Sequence, residues 1–270
     1  MAIIKRARKM LRGHGPALGG VRESRQVTVQ GGPGAGLVLD LAGASADYET
    51  GLNELAVQQA VVDSLRPGDV FVDVGANIGF FSLLAARAVG PEGKVIAIEA
   101  VSELATAVRA NAALNGFAQI EVVEAAASDS AGEVELMLAE HPGGATISRS
   151  DTPPDLIGRR TVTCVTLDGL FAERDFPGPA MVKIDVEGAE FPVLDGMAGL
   201  LDTYRPVVLC ELDSIDASVL ESKISTFHQR MIDLDYQVRD LSPSYEGAAW
   251  NVYHGLALTA EVGAGHRSET

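Results

Sequence analysis

Four short runs, VFVDVG (70–75), KVIAIE (94–99), MVKID (181–185) and PVVLCEL (206–212), constrain the fold more than any other feature of the chain. They are apolar almost throughout and rich in β-branched residues, which suits strands covered on both faces, the condition of a parallel sheet. Segments with helical periodicity separate or follow them, over 78–89, 101–116, 188–201 and 217–234. A further helix over 53–65 ends at Arg66-Pro67-Gly68. IEVVEAA (120–126) reads as the strand after the second helix of the series, and EVELMLA (133–139) and RTVTCVTLD (160–168) as antiparallel strands flanking an insertion. Two last strands, near 235–240 and 250–258, are joined without a helix and pair antiparallel at one edge. The expectation is an α/β fold with a mostly parallel seven-stranded sheet and helices on both faces.

Residues 51–260 read as one domain without internal repeats, preceded by a basic helix and Gly-rich extension (1–50, with a short strand at 26–30) and followed by a disordered tail (261–270). The formal charge of −16 opposes a phosphate backbone, and aromatic residues at 5% give little to stack on single-stranded bases, so a nucleic-acid partner is not expected. Cys164 and Cys210 each sit in an apolar run, as buried thiols do in a reducing, cytoplasmic setting. The one basic stretch, MAIIKRARKMLRG at the start, lacks the apolar core of a secretion signal and reads as a solvated helix or a membrane-surface contact. No apolar run approaches the ~18 residues of a membrane span.

The first strand-to-helix turn reads Asp73-Val74-Gly75-Ala76-Asn77-Ile78-Gly79. Glycine there permits a tight turn and close approach of backbone to a ligand. A dinucleotide loop would be G-x-G-x-x-G over a pyrophosphate. Here the third glycine is missing, and Asp73 would repel pyrophosphate while suiting an ammonium or sulfonium. Glu99 ends the next strand, where a carboxylate can accept both hydrogens of a ribose diol, and Ser128-Asp129 follow the third, placed for an adenine edge. Acids at strand ends also act as plain helix caps.

In PGDVFVDVGANIGFFSLLAA (67–86), KVIAIEA (94–100), ANAALNG (110–116), AAASD (125–129), TLDGL (166–170) and KIDVEGAEFPVLDG (183–196), together with the strand ending in Glu211, the sequence resembles the FkbM family of class I methyltransferases over roughly 50–240. The resemblance implies a Rossmann-like fold, S-adenosyl-L-methionine as cofactor, and O-methylation of a hydroxyl on a small molecule such as a natural product or sugar. It places Gly75, Ala76, Asn77 and Gly79 at the cofactor's amino-acid part, Glu99 at the ribose, and Ala127 and Ser128 at the adenine. Glu54 resembles the family's upstream acid. Ala100 stands where the family commonly has proline, which changes loop stiffness. With Asp73 and Asp185 these make up the expected cofactor contacts.

An alcohol must lose a proton to accept a methyl group, and the candidate catalytic residues, Lys183, Asp185 and Glu187, lie in one motif. Lys183 and Asp185, two apart on a strand, share a face. Lysine in an interior strand is costly unless paired. Each of the three is equally readable as a helix cap or ion-pair partner. His228, on an amphipathic helix, reads as surface, and His254 lies on an expected edge strand. No spacing demands a metal and none is expected, the alternative being an oxygen-rich Mg²⁺ site of Asp185, Glu211 and Asp213. The insertion at 140–160 reads as a substrate lid or as surface, with Arg149, Arg159 and Arg160 available to an anionic group. The competing functions are a nicotinamide-dependent oxidoreductase, a non-catalytic cofactor-binding module, and N- rather than O-methylation.

Overall fold

The computed structural model describes residues 24–41, 44–139, 145–147, 156–242 and 251–260. The expected N-terminal basic helix, Arg149 and the tail from 261 lie outside them. A hairpin of β1 (Gln26–Thr28) and β2 (Val38–Asp40) is followed by two helices, α1 (Asp47–Thr50) and α2 (Leu55–Ser64). The core then alternates: β3 (Val70–Val74), α3 (Phe80–Val89), β4 (Lys94–Ile98), α4 (Ser102–Asn115) and β5 (Ile120–Val123). Strands β6 (Ala126–Ala127), β7 (Gly132–Ala139), β8 (Ala145–Thr146) and β9 (Leu156–Val165) follow, then α5 (Leu167–Arg174), β10 (Met181–Ile184), α6 (Glu190–Asp195), α7 (Ala198–Thr203), β11 (Val207–Ser214), α8 (Ala217–Asp233), β12 (Tyr236–Asp240) and β13 (Asn251–Thr259).

Among the described residues the central sheet has seven strands in the order β12-β13-β11-β10-β3-β4-β5. β3, β4, β5, β10 and β11 are parallel, and β13 runs against both β11 and β12. The antiparallel edge pair forms as expected, but the later strand lies inside the earlier one, so His254 is not on an edge. Alternate residues feed two cores. Phe71 and Met181 join Val57, Val61, Leu83 and Leu84 on one face, together with Val27, Val29, Leu37 and Leu39 of the hairpin segment. Val72, Val182 and Val208 join Leu170, Val193, Leu200 and Phe227 on the other. Chain order reverses between β3 and β10, and ligands of open α/β sheets bind at the carboxyl ends of strands at that switch point.

Three expectations about elements change. The strand expected over 120–126 stops at Val123, and β6 leaves the central sheet to pair with β9 in a four-stranded sheet ordered β6-β9-β7-β8. The helix expected over 188–201 is two helices. Gly196 interrupts it where a Cβ would come within 2.0 Å of the Ser128 carbonyl oxygen, and the Asp168 carboxylate caps α7 by accepting from Gly199 N (2.8 Å) and Leu200 N (2.9 Å). Helix α5 has no counterpart in the sequence reading. Thr166 starts it by accepting from Gly169 N, so the TLDGL segment serves as two helix caps.

Candidate active site

The glycine turn leaves β3 folded against β4: Gly75 N and Ala76 N both donate to the Ile98 carbonyl, at 3.0 and 3.1 Å. Gly75 has φ +82°, and a Cβ on it would fall 1.9 Å from the carbonyl oxygen of Asp185. Glycine is thus demanded first by the neighbouring strand end, a more immediate reason than approach to a ligand. Gly79 and Asn77 are also left-handed, the latter at φ 54°. Asn77 N donates to Glu99 Oε2 and Val101 N to Glu99 Oε1, each at 2.8 Å. Two backbone donors therefore fix the orientation of this carboxylate at the end of β4, and burial pushes it up to about 7 against their pull. Ala127 ends β6 and Ser128 follows it, both buried, and Ser128 Oγ bonds to Asp129.

The second half of the site gathers at the ends of β10, β11 and β13. Lys183 is 1% exposed and its Nζ lies 2.6 Å from Asp185 Oδ2, 3.9 Å from Asp73 Oδ1, and 4.8 Å from the centre of the Phe81 ring. Burial works against its charge, but Asp185, Asp73 and Glu54 outweigh that and hold it protonated. Lys183 is thus paired with two carboxylates inside the fold. Asp73 is buried, its Oδ2 accepting from Ser82 Oγ at 2.6 Å, so its carboxylate meets Ser82 and Lys183 inside the protein. Burial raises its pKa and Lys183 lowers it.

Across the antiparallel register Glu211 faces His254, and His254 Nε2 lies 2.7 Å from Glu211 Oε2. Burial, followed by Asp185, drives Glu211 well above the usual carboxylate range, and burial lowers His254. Glu54 arrives from the α1–α2 turn at φ 50°, a backbone conformation strained for glutamate. Gln58 anchors that turn: Nε2 donates to the Gly51 and Asn53 carbonyls at 3.0 and 2.6 Å, and Oε1 accepts from Gly34 N. One donor atom each of Glu54, Glu211 and His254 lies within 4.8 Å of the others. Tyr48 completes the group. Burial first, then Glu54, Asp185 and Glu211, raise its phenol. Sequence reasoning missed it because a four-residue helix carries no periodicity.

Other expected residues lie elsewhere or are already engaged. Arg160 forms a bidentate pair with Glu103 (2.9 and 3.0 Å), and Arg159 pairs with Glu135, so both guanidiniums are held by the chain's own carboxylates instead of awaiting an anion. Asp213 turns to Lys223, whose Nζ donates to its carbonyl at 2.9 Å, and the oxygen-rich set with Asp185 does not assemble among the described residues. Glu187 accepts from Thr146 Oγ1 through its carbonyl. His228 bonds to Tyr253 at 2.8 Å and lies 3.2 Å from Asp240. The insertion at 140–160 lies largely outside the described residues.

An open sheet of this order, with a glycine turn at the end of β3, a carboxylate at the end of β4 and a buried lysine paired with an aspartate at the end of β10, is that of an S-adenosylmethionine-dependent methyltransferase of class I. The family model of the methyltransferase FkbM domain matches residues 73–238. The chain belongs to the FkbM methyltransferase family. It is similar to the 31-O-demethyl-FK506 methyltransferase FkbM of Streptomyces tacrolimicus, 34% identical over 187 residues that span 58% of this chain and 70% of that one. A shorter likeness, 41% over 59 residues, or 22% of this chain and 27% of the other, joins it to protein-L-isoaspartate O-methyltransferase 2 of Archaeoglobus fulgidus. In fold it is similar to M. jannaschii TYW2 in complex with AdoMet, with a TM-score of 0.51 at 16% identity over 89% of this chain and 86% of that one. Neither a nicotinamide-dependent oxidoreductase nor a non-catalytic binding module finds support among them.

Proposed function

We propose that the chain transfers the methyl group of S-adenosylmethionine to a hydroxyl of a small molecule. The observation that carries this reading is the Lys183–Asp185 pair at 2.6 Å, set where the end of β10 touches the glycine turn at Gly75. When bound, the cofactor supplies a methyl group already activated on a positive sulfur. Glu99 would hold the ribose, the turn from Gly75 to Gly79 the amino-acid part, and Ala127 with Ser128 the adenine. The residues then have two tasks, alignment and proton removal. Alignment of reacting groups contributes up to roughly 7–11 kcal/mol. Lys183 binds one oxygen of Asp185, fixing the carboxylate so that its other oxygen takes the hydroxyl's proton, a contribution of ~10²–10⁴-fold. Two relatives, the 31-O-demethyl-FK506 methyltransferase and the protein-L-isoaspartate O-methyltransferase, are named for methylation at oxygen, which supports oxygen as the acceptor. The charge of −16 supports a small molecule over a nucleic acid, and the buried Cys164 and Cys210 support a cytoplasmic setting. Among the described residues no helix is long and apolar enough to cross a membrane.

Calorimetric titration with S-adenosylhomocysteine, with NAD as control, tests the donor half. Binding in the micromolar range that Glu99→Ala weakens at least tenfold, about 1.4 kcal/mol, is expected. Binding of NAD with no heat from S-adenosylhomocysteine would overturn it. For the acceptor half, a panel of alcohols and amines should yield methyl ethers, with turnover falling about 10²-fold or more in Asp185→Asn. Methylated amines alone would make oxygen the wrong nucleophile.

A further inference from the structure

We infer that Glu54, Glu211 and His254 form a binding site for a divalent first-row metal ion. The three come from elements far apart in the chain, the α1–α2 turn, β11 and β13, yet each brings one ligand atom within 4.8 Å of the other two. Convergence of surface acids is common, but this group is mostly buried: Glu54 is 8% exposed, His254 2% and the Glu211 side chain 19%. Each is also held from behind. Gln58 pins the turn that carries Glu54, and strand pairing sets Glu211 opposite His254.

One further observation points to a cation. The charges are unequal: among the described residues the Lys183 ammonium lies 2.6 Å from Asp185 and 3.9 Å from Asp73, two carboxylates for one cation before Glu54 and Glu211 are counted. Burying carboxylates beyond the number of cations is costly unless a counter-charge joins them.

The donor set narrows the ion. One imidazole with two carboxylates suits Mn²⁺, Fe²⁺, Co²⁺ or Zn²⁺, whereas Mg²⁺ prefers oxygen and water throughout. Such ions sit about 2.1 Å from each ligand atom, so donors this close need only small side-chain rotations to share one, and the Glu211–His254 hydrogen bond would give way to two metal bonds. Three protein ligands leave open coordination positions. In the methyltransfer reading, on which this role rests, an acceptor hydroxyl takes one of them, and the ion lowers its pKa so that the proton passes more readily to Asp185.

Mn²⁺ titrated into the chelator-treated full chain, without cofactor, and followed by loss of the free-ion electron paramagnetic resonance signal, tests the site. Saturation at a single ion per chain is expected, with Glu54→Gln and Glu211→Gln each weakening binding about tenfold or more. Asp213→Asn, in a nearby acid that turns to Lys223, should leave it unchanged. A thermal melt of each variant confirms that the fold is retained. Absence of binding below millimolar Mn²⁺, or equal binding by the folded Gln variants, would overturn the inference. Calorimetry with S-adenosylhomocysteine on the same samples separates this from the methyltransferase reading, because either can fail while the other stands.

Discussion

Asn111 shows how far one side chain can reach. It is fully buried in α4, where its Oδ1 accepts from Asp40 N at 2.7 Å and its Nδ2 donates to the Ile78 carbonyl at 2.8 Å and the Asp40 carbonyl at 3.2 Å. One amide thus joins the free edge of β2 to the glycine turn. Asn111→Ala leaves these backbone groups unpaired and should lower stability by about 1–3 kcal/mol, measured by urea denaturation. A loss near zero would mean that water replaces the amide. Lys183 was legible in the sequence because a lysine within an apolar strand demands a partner, and the two-residue spacing pointed to Asp185. Asn111 was visible only as part of a family segment, and Tyr48 not at all, since their partners come from elements that no local pattern connects.

At the scale of elements, the continuous apolar runs announced the parallel strands because burial on both faces removes the usual alternation. Breaks were harder to read. Gly196 in a helical pattern looks tolerable until the backbone at Ser128 is seen against it. Helix α6, on the near side of that break, begins with Glu190, whose carboxylate accepts from Gly188 N at 2.7 Å and lies 3.7 Å from Lys223. Burial pushes this carboxyl up to about 7. In the unfolded chain it ionises near ~4.3, so from there to about 7 the folded state holds the extra proton. This group's contribution to stability accordingly falls as pH rises through that window and is level above it. Glu190→Gln, which keeps the acceptor, should match the parent at pH 4 and exceed it by about 1–3 kcal/mol at pH 8. An equal difference at both values would remove ionisation as the cause.

For the whole molecule, sheet order decided what the sequence could reveal. The turn from Gly75 to Gly79 and Glu99 rest on consecutive strand–helix units, so their place at the strand ends was legible in order. The other half of the site depends on β13 entering between β11 and β12, which places His254 beside Glu211, and no spacing in the chain signals that. The charge of −16 also acts at this scale. S-adenosylmethionine carries one more positive charge than S-adenosylhomocysteine, so its attraction to the protein is screened more by salt. Raising ionic strength from about 0.01 to about 0.5 M, across which screening shortens severalfold, should weaken the affinity for S-adenosylmethionine more than that for S-adenosylhomocysteine by calorimetry. Parallel slopes would mean that the sulfonium charge adds nothing to that attraction.

The insertion of β13 also orders the making of the protein in time. The residues proposed to hold the donor, from Asp73 to Ser128 and on to Asp185, leave the ribosome well before Asn251–Thr259, and among the described residues β12 joins the sheet only through that late strand. A nascent or prematurely ended chain would therefore carry the donor's cradle without His254, with β11 left as an open edge. The pairing of His254 with Glu211 is made last, so in a growing chain the proposed cradle for an activated methyl group precedes the proposed seat for the metal ion.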